Sequence, residues 1–231
     1  MDTDHKTTLE QILTVKKTQI EMVMDRGYKI PTQEMDILNM DLQSFQQYLI
    51  TLRNNQKDKN LHWISLLTNT YTKDTPEGVE SLLVYYGSKY FSGDHKQISN
   101  EVIIDFIEKV DSLQNVSIVK SILIVDTNLS PKSLNTINNL DFPCQLFYFD
   151  ELMYNPTRHL DVPRHELVPQ DQVKQLLKDL KVELSNLLLI RHDDPIVKYY
   201  NWNIGDVIRI YRKDDYINIL TSETVNYRVV I

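Results

Sequence analysis

Five glycines in 231 residues leave none to build a Gly-rich phosphate loop, which excludes the common nucleotide-binding designs. There is one cysteine, Cys144, so an intramolecular disulfide is excluded. Its apolar setting, DFPCQLFYF, predicts a buried, inert thiol in a chain suited to a reducing compartment. No run approaches the roughly 18–20 apolar residues of a membrane span. The polar, acidic start MDTDHKTTLEQ does not resemble a secretory signal or transit peptide. G-x-S-x-G, H-E-x-x-H and C-x-x-C are all missing. No two of the six histidines stand at i,i+4, and His159 and His165 lie six apart in a proline-rich stretch. No cofactor or metal is therefore expected.

What is present is a soluble globular composition, 42% hydrophobic and 25% charged. The net charge of −7 is unevenly spread. Residues 1–154 hold 21 acidic and 14 basic side chains, and residues 155–231 hold 11 of each. An acidic domain does not hold nucleic acid tightly by itself, because phosphate attraction needs a basic field.

Thr7-x-x-Glu10 has capping-box spacing ahead of apolar Leu9, Ile12, Leu13, Ile20, Val23 and Met24, with Gly27 as the stop. Leu42, Phe45, Leu49 and Leu52 predict a second helix. HWISLLTN (62–69) and SLLVYYG (81–87) read as strands split by a turn, TKDTPEG. Ser99 is placed to cap a third helix with Val102, Ile103, Phe106, Ile107 and Val110 on one side. SIVKSILIVD (117–126) reads as a strand buried on both faces. Ser130-Pro131 opens a short helix, and CQLFYFD (144–150) reads as a further strand.

These alternations predict an α/β layer domain over 1–153, a connection over 154–169 and a small α+β domain over 170–231. The latter contains an amphipathic helix through Val173, Leu176, Leu177 and Leu180, and strands at LLLI, DVIRIYRK, INIL and YRVVI. His192-Asp193-Asp194 looks like a metal corner, but neighbouring positions project in different directions, and Asp194-Pro195 fits a helix N-cap. Glu77 with Asp94-His95-Lys96 loosely imitates a metal-dependent nuclease, although both groups sit in turns and not on a strand. A nuclease and a free-standing α/β adaptor are the alternative readings.

DDPIVKYYNWNIGDVIRIYRKD resembles the C-terminal signature of the shared fifth subunit of eukaryotic nuclear RNA polymerases, through Asp194, Pro195, Ile196, Tyr199, Gly205, Asp206, Val207, Ile210 and Arg212. Thr157, Arg158, His159, Val162, Pro163, Arg164 and His165 resemble a motif upstream of it, and Tyr227-Arg228 the family's closing strand. In archaeal RNA polymerases the similar subunit corresponds to this C-terminal domain alone. TVKKTQIEMVMDRGYKIPTQEMD and ILIVDTNLSPKSL are similar to the family's first helix and to a strand with its following loop. The chain departs from the family at Leu187–Ile190 and at Asn201.

The resemblance implies a non-catalytic polymerase subunit. Its N-terminal jaw domain, a restriction-endonuclease-like layer fold, would lie near downstream double-stranded DNA. Its C-terminal domain would dock on the largest subunit, among the other polymerase subunits, with neither membrane nor small-molecule substrate. The location implied is the nucleus for a cellular enzyme, or a cytoplasmic viral factory or virion for a large DNA virus. Asn128, Ser130, Pro131, Lys132 and Ser133 are the residues expected near DNA, and the start of their helix would suit a phosphate. His159, Val162, Pro163, His165, Asp194, Pro195, Tyr199, Gly205 and Arg212 are those expected to dock.

Overall fold

The computed structural model describes residues 8–55, 63–76, 78–88, 97–114, 118–213 and 223–231. The chain divides into two compact units, Met1–Tyr154 and Asn155–Ile231.

Unit 1 begins with α1 (Leu9–Asp25). Its capping box is Thr8 with Gln11, one residue beyond the Thr7–Glu10 box expected; Thr7 itself lies outside the described residues. Gln11 fills the third helical position, and its side chain accepts from the Thr8 N–H at 2.8 Å. The helix stops at Gly27, whose φ of +84° is costly for any residue with a Cβ. The reversal is sealed by Gly27 N–H to Met24 O at 2.8 Å and Tyr28 N–H to Val23 O at 3.2 Å. A short α2 (Thr32–Met35) and α3 (Leu42–Asn55) follow.

The sheet of unit 1 has the order β1-β2-β3-β4. Its strands are β1 (Asn69–Thr75), β2 (Gly78–Gly87), β3 (Ile118–Val125) and β4 (Cys144–Tyr148). β1 is antiparallel to β2, while β2, β3 and β4 run parallel. The parallel pairs are joined through α4 (Asn100–Gln114) and α5 (Pro131–Asn138). Successive residues of β2 serve opposite faces. Leu83 and Tyr85 join Leu123 and Val125 against Val102, Ile103 and Phe106 of α4. Tyr86 points the other way, where its hydroxyl donates to Gln19 of α1 at 3.3 Å. Each such apolar side chain taken fully out of water is worth roughly 1.5–3 kcal/mol.

The expected strand over 62–69 is a correction. Trp63–Leu67 forms a 3-10 turn with Ile64, Ser65, Leu66 and Leu67 buried. The strand instead occupies NTYTKDT, part of which reads as turn. β1 is an edge strand that buries only Tyr71, so threonines and charges suit its outer positions and hide it from an apolar-run criterion.

Unit 2 is a second four-stranded sheet in the order β5-β7-β8-β6. Its strands are β5 (Arg164–Leu167), β6 (Leu188–Ile190), β7 (Val207–Lys213) and β8 (Glu223–Val230). β5 and β8 are antiparallel to β7, and β6 is parallel to β8. Its helices are α6 (Gln170–Leu180) and α7 (Pro195–Tyr200). Ile190, Ile196, Val197, Trp202, Ile208, Ile210 and Val230 form the core. The reading of 154–169 as a connection is corrected: residues 155–169 belong to this unit and include β5. Proline flanks β5 on both sides, and its side chains are only half-buried or exposed, so no period betrays it. The INIL strand lies outside the described residues.

Candidate functional site

Four of the expected docking residues converge on one groove of about 900 Å³ in unit 2: Val162, Pro163, His165 and Arg212. The sheet register brings them together. Arg164 pairs with Tyr211 and His165 with Ile210, so Arg212 falls beside the chain entering β5. Leu160, Ile196, Tyr200 and Tyr211 supply the apolar and aromatic lining. The Leu160 side chain is fully exposed at the rim.

The groove's charges differ in how they are held. Arg164 pairs with Glu166, and its guanidinium lies 5.3 Å from the centre of the Tyr211 ring. Tyr211 in turn donates to Glu166 at 2.6 Å. Arg212 is exposed and has no ion pair among the described residues. His165 Nδ1 lies 2.6 Å from the Pro163 carbonyl, which can only accept, so Nδ1 carries the proton and Nε2 is the acceptor. Burial lowers the His165 pKa from 6.5, helped by the charges of Arg228 and Arg212 against the pull of the Pro163 carbonyl and Asp194. A neutral imidazole, an unpaired guanidinium and tyrosine faces together suit a polypeptide segment carrying a carboxylate beside apolar side chains.

The other expected docking residues are placed differently. Asp194 caps α7 by accepting from the Ile196 N–H at 2.9 Å, with Pro195 at the first helical position. Tyr199 is buried in the unit, and its hydroxyl accepts from Asn155 at 3.1 Å. Tyr199 therefore packs inside the unit and is not part of the groove's lining. Gly205, at φ +91°, forms a turn in which its N–H donates to Val230 O at 2.9 Å. His159 is exposed, with Nδ1 3.8 Å from the Asp161 carboxylate. The apparent metal corner resolves into Asp194 as a cap and Asp193 chelated by Arg191 at 2.5 and 2.7 Å.

In unit 1, Asn128, Pro131 and Lys132 are exposed around the start of α5. Ser130 is its cap, accepting from the Ser133 N–H at 3.1 Å. Ser133, also expected near DNA, is buried, and its hydroxyl donates to Ile98 O at 3.0 Å instead of facing solvent. Pro131 has no N–H and that of Ser133 is capped, so the backbone N–H and ammonium of Lys132 are what this turn presents.

Sequence reasoning missed a polar centre in the same unit. Lys16 is fully buried and donates to Gln19 at 2.8 Å, Glu34 at 2.9 Å, Leu67 O at 3.2 Å and Tyr71 at 3.2 Å. Tyr71 and Asn69 also donate to Glu34. The one signal in the sequence is Lys16 and Gln19 at i,i+3 within an otherwise apolar helix face. Among the described residues no cluster of three His, Cys, Asp or Glu could hold a metal. Glu77 and Asp94-His95-Lys96, the nuclease-like set, lie outside the described residues.

Comparisons with known proteins converge. The family model for the RNA polymerase Rpb5 C-terminal domain matches residues 154–230. Subunit 5B of DNA-directed RNA polymerases IV and V from Arabidopsis thaliana is 26% identical over 215 residues, covering 93% of this chain and 87% of that protein. Subunit RPABC1 of RNA polymerases I, II and III from Caenorhabditis elegans is 24% identical over 219 residues, 94% of each chain. RNA polymerase subunit Rpo5 of the archaeon Methanocaldococcus jannaschii is 35% identical over 75 residues, 32% of this chain and 91% of that protein.

Proposed function

The chain belongs to the Rpb5 family of DNA-directed RNA polymerase subunits, and from that membership we propose that unit 2 docks on the largest subunit. The protein is a subunit of a multisubunit DNA-directed RNA polymerase, with other polymerase subunits as its partners. The finer reading assigns it no active site of its own. Unit 1 acts as a jaw domain, a restriction-endonuclease-like layer fold, beside downstream duplex DNA. The mixed sheet with helices on both faces supports that fold. The location is the nucleus for a cellular member, and a viral factory or virion for a viral one.

The observation that carries docking is the convergence of Val162, Pro163, His165 and Arg212 on one groove with an exposed leucine at its rim. Interfaces of this kind rest on a few aromatic, arginine and apolar anchors. The test is co-purification of full-length Leu160→Asp/Arg212→Glu with the two large catalytic subunits. Recovery should drop at least tenfold, equivalent to about 1.4 kcal/mol, while the fluorescence of Trp63 and Trp202 stays native. Wild-type recovery would remove the groove from the docking site.

A further inference from the structure

We infer that a cleft at the C-terminal end of α6 is a second docking site, for an acidic segment with apolar anchors supplied by another subunit of the assembled polymerase. The source of that segment rests on the subunit reading above; its chemistry rests on the cleft.

α6 carries Val173, Leu176, Leu177 and Leu180 on one stripe, yet none of its residues is fully buried. A helix of 11 residues is marginal without a packed face. Lys181, in the left-handed conformation at φ +55°, ends the helix and turns the chain back. The Val182 N–H then donates to Leu177 O at 3.1 Å, which sets Val182 beside the stripe. The result is a cleft of about 620 Å³ with Leu177, Val182 and Leu184 as its apolar part. Val182 and Leu184 remain more than a third exposed.

Charge identifies what would cover it. Lys174, Lys178 and Lys181 line the cleft against a single carboxylate, Glu183. None of the three lysines has an ion pair among the described residues, whereas Arg164 and Arg191 of the same unit are both paired. An apolar cleft edged by unpaired ammonium groups is complementary to a segment alternating carboxylates with large apolar side chains. A nucleic-acid backbone or a lipid headgroup would satisfy the lysines and leave Leu177, Val182 and Leu184 uncovered.

The test is site-specific photocrosslinking in the full-length chain, purified as the assembled polymerase. A benzophenone amino acid replaces Ser185, beside the cleft, or Asp161 in the other groove. Ser185 should crosslink to one segment of another subunit that is net acidic and carries apolar residues on one face. Lys174→Glu/Lys178→Glu/Lys181→Glu should lower that yield about tenfold, while Lys174→Arg/Lys178→Arg/Lys181→Arg keeps it. Crosslinks only to this chain, to a second copy, to nucleic acid or to lipid, or no crosslink at all, would overturn the inference. So would an undiminished yield in the glutamate variant. If Asp161 crosslinks to polymerase subunits while Ser185 is silent, only this inference fails. A chain that does not purify with the large subunits would overturn both readings.

Discussion

Unit 1 carries 21 acidic and 14 basic side chains, while unit 2, half as long, is charge-neutral. Their apolar surfaces run the opposite way. Of the large apolar side chains exposed among the described residues, six belong to unit 1 and ten to unit 2. Unit 1 encloses its core on both faces of the sheet and buries even an ion pair. Unit 2 leaves Leu160, Leu188 and Leu189 exposed and no residue of α6 fully buried. Large apolar surface left in water marks a place where something binds. Among the described residues, unit 1 covers most of its apolar side chains with its own, and unit 2 leaves more of them exposed.

The comparison breaks most sharply at Lys16. Replacing it with alanine strands the Glu34 carboxylate, and removing one partner of a buried pair costs about 3–5 kcal/mol. Each unit has its own reporter, Trp63 in unit 1 and Trp202 in unit 2. Denaturant unfolding of Lys16→Ala followed with Trp202→Phe should show a large loss in unit 1. The same unfolding followed with Trp63→Phe should leave unit 2 unchanged. A loss below 1 kcal/mol in unit 1, on the order of a surface substitution, would mean that the pair is dispensable.

Acid should separate the units as well. Burial pushes the Glu34 carboxyl up, but Lys16 and hydrogen bonds from Tyr71, Asn69 and Lys16 bring it below its usual 4.5. Its contribution to unit 1 is complete above that pH and lost as pH falls through the lower folded value. His165, lowered from 6.5 mainly by burial, gives unit 2 a contribution present above pH 6.5 and lost as pH falls through its folded value. Unit 2 should therefore begin to weaken at a higher pH than unit 1. The two tryptophan reporters would show the reverse order if this assignment were mistaken.

Next in size is Gly205→Val. The glycine sits at φ +91° with open space where a Cβ would stand, so the cost is backbone strain alone. About 1–3 kcal/mol is expected, all in unit 2. Asp194→Ala removes the cap of α7 and should cost about 1 kcal/mol in the same unit. Native stability of Gly205→Val by Trp202 fluorescence would show that the turn tolerates a side chain. An Asp194→Ala effect matched by Asp194→Asn would show that the charge matters, whereas native stability of Asp194→Asn would show that the capping oxygen alone suffices.

Legibility in the sequence also differs between strands and helices. α4 and β3 are plain, because one has an apolar face at helical spacing and the other a continuous apolar run. β1 and β5 are not, because edge strands keep polar side chains on positions that water reaches. Lys16 reads as a surface charge until Glu34, 18 residues on, is folded against it. The motif around residues 194–212 is legible, but not what each position does. Asp194, Tyr199 and Gly205 build α7 and its turn, while Arg212 alone of that stretch's expected docking residues lines the groove.

The smallest expected effect falls on Lys132, and it tests the division of labour most finely. Lys132 is exposed at the start of α5, where proline removes one N–H and Ser130 satisfies that of Ser133. What it can offer a phosphate is one ammonium and one backbone N–H, within a unit whose net charge repels DNA. Lys132→Glu should therefore leave folding and co-purification with the large subunits unchanged, since both depend on surfaces of other residues. Downstream-DNA engagement by the assembled enzyme should weaken at low salt, with the salt slope changed by about one unit. The loss should be alike for all downstream sequences, because a backbone contact carries no base information. A mutant that loses polymerase subunits would make unit 1 an assembly surface too. One that binds downstream DNA normally at low salt would move the DNA contact away from α5.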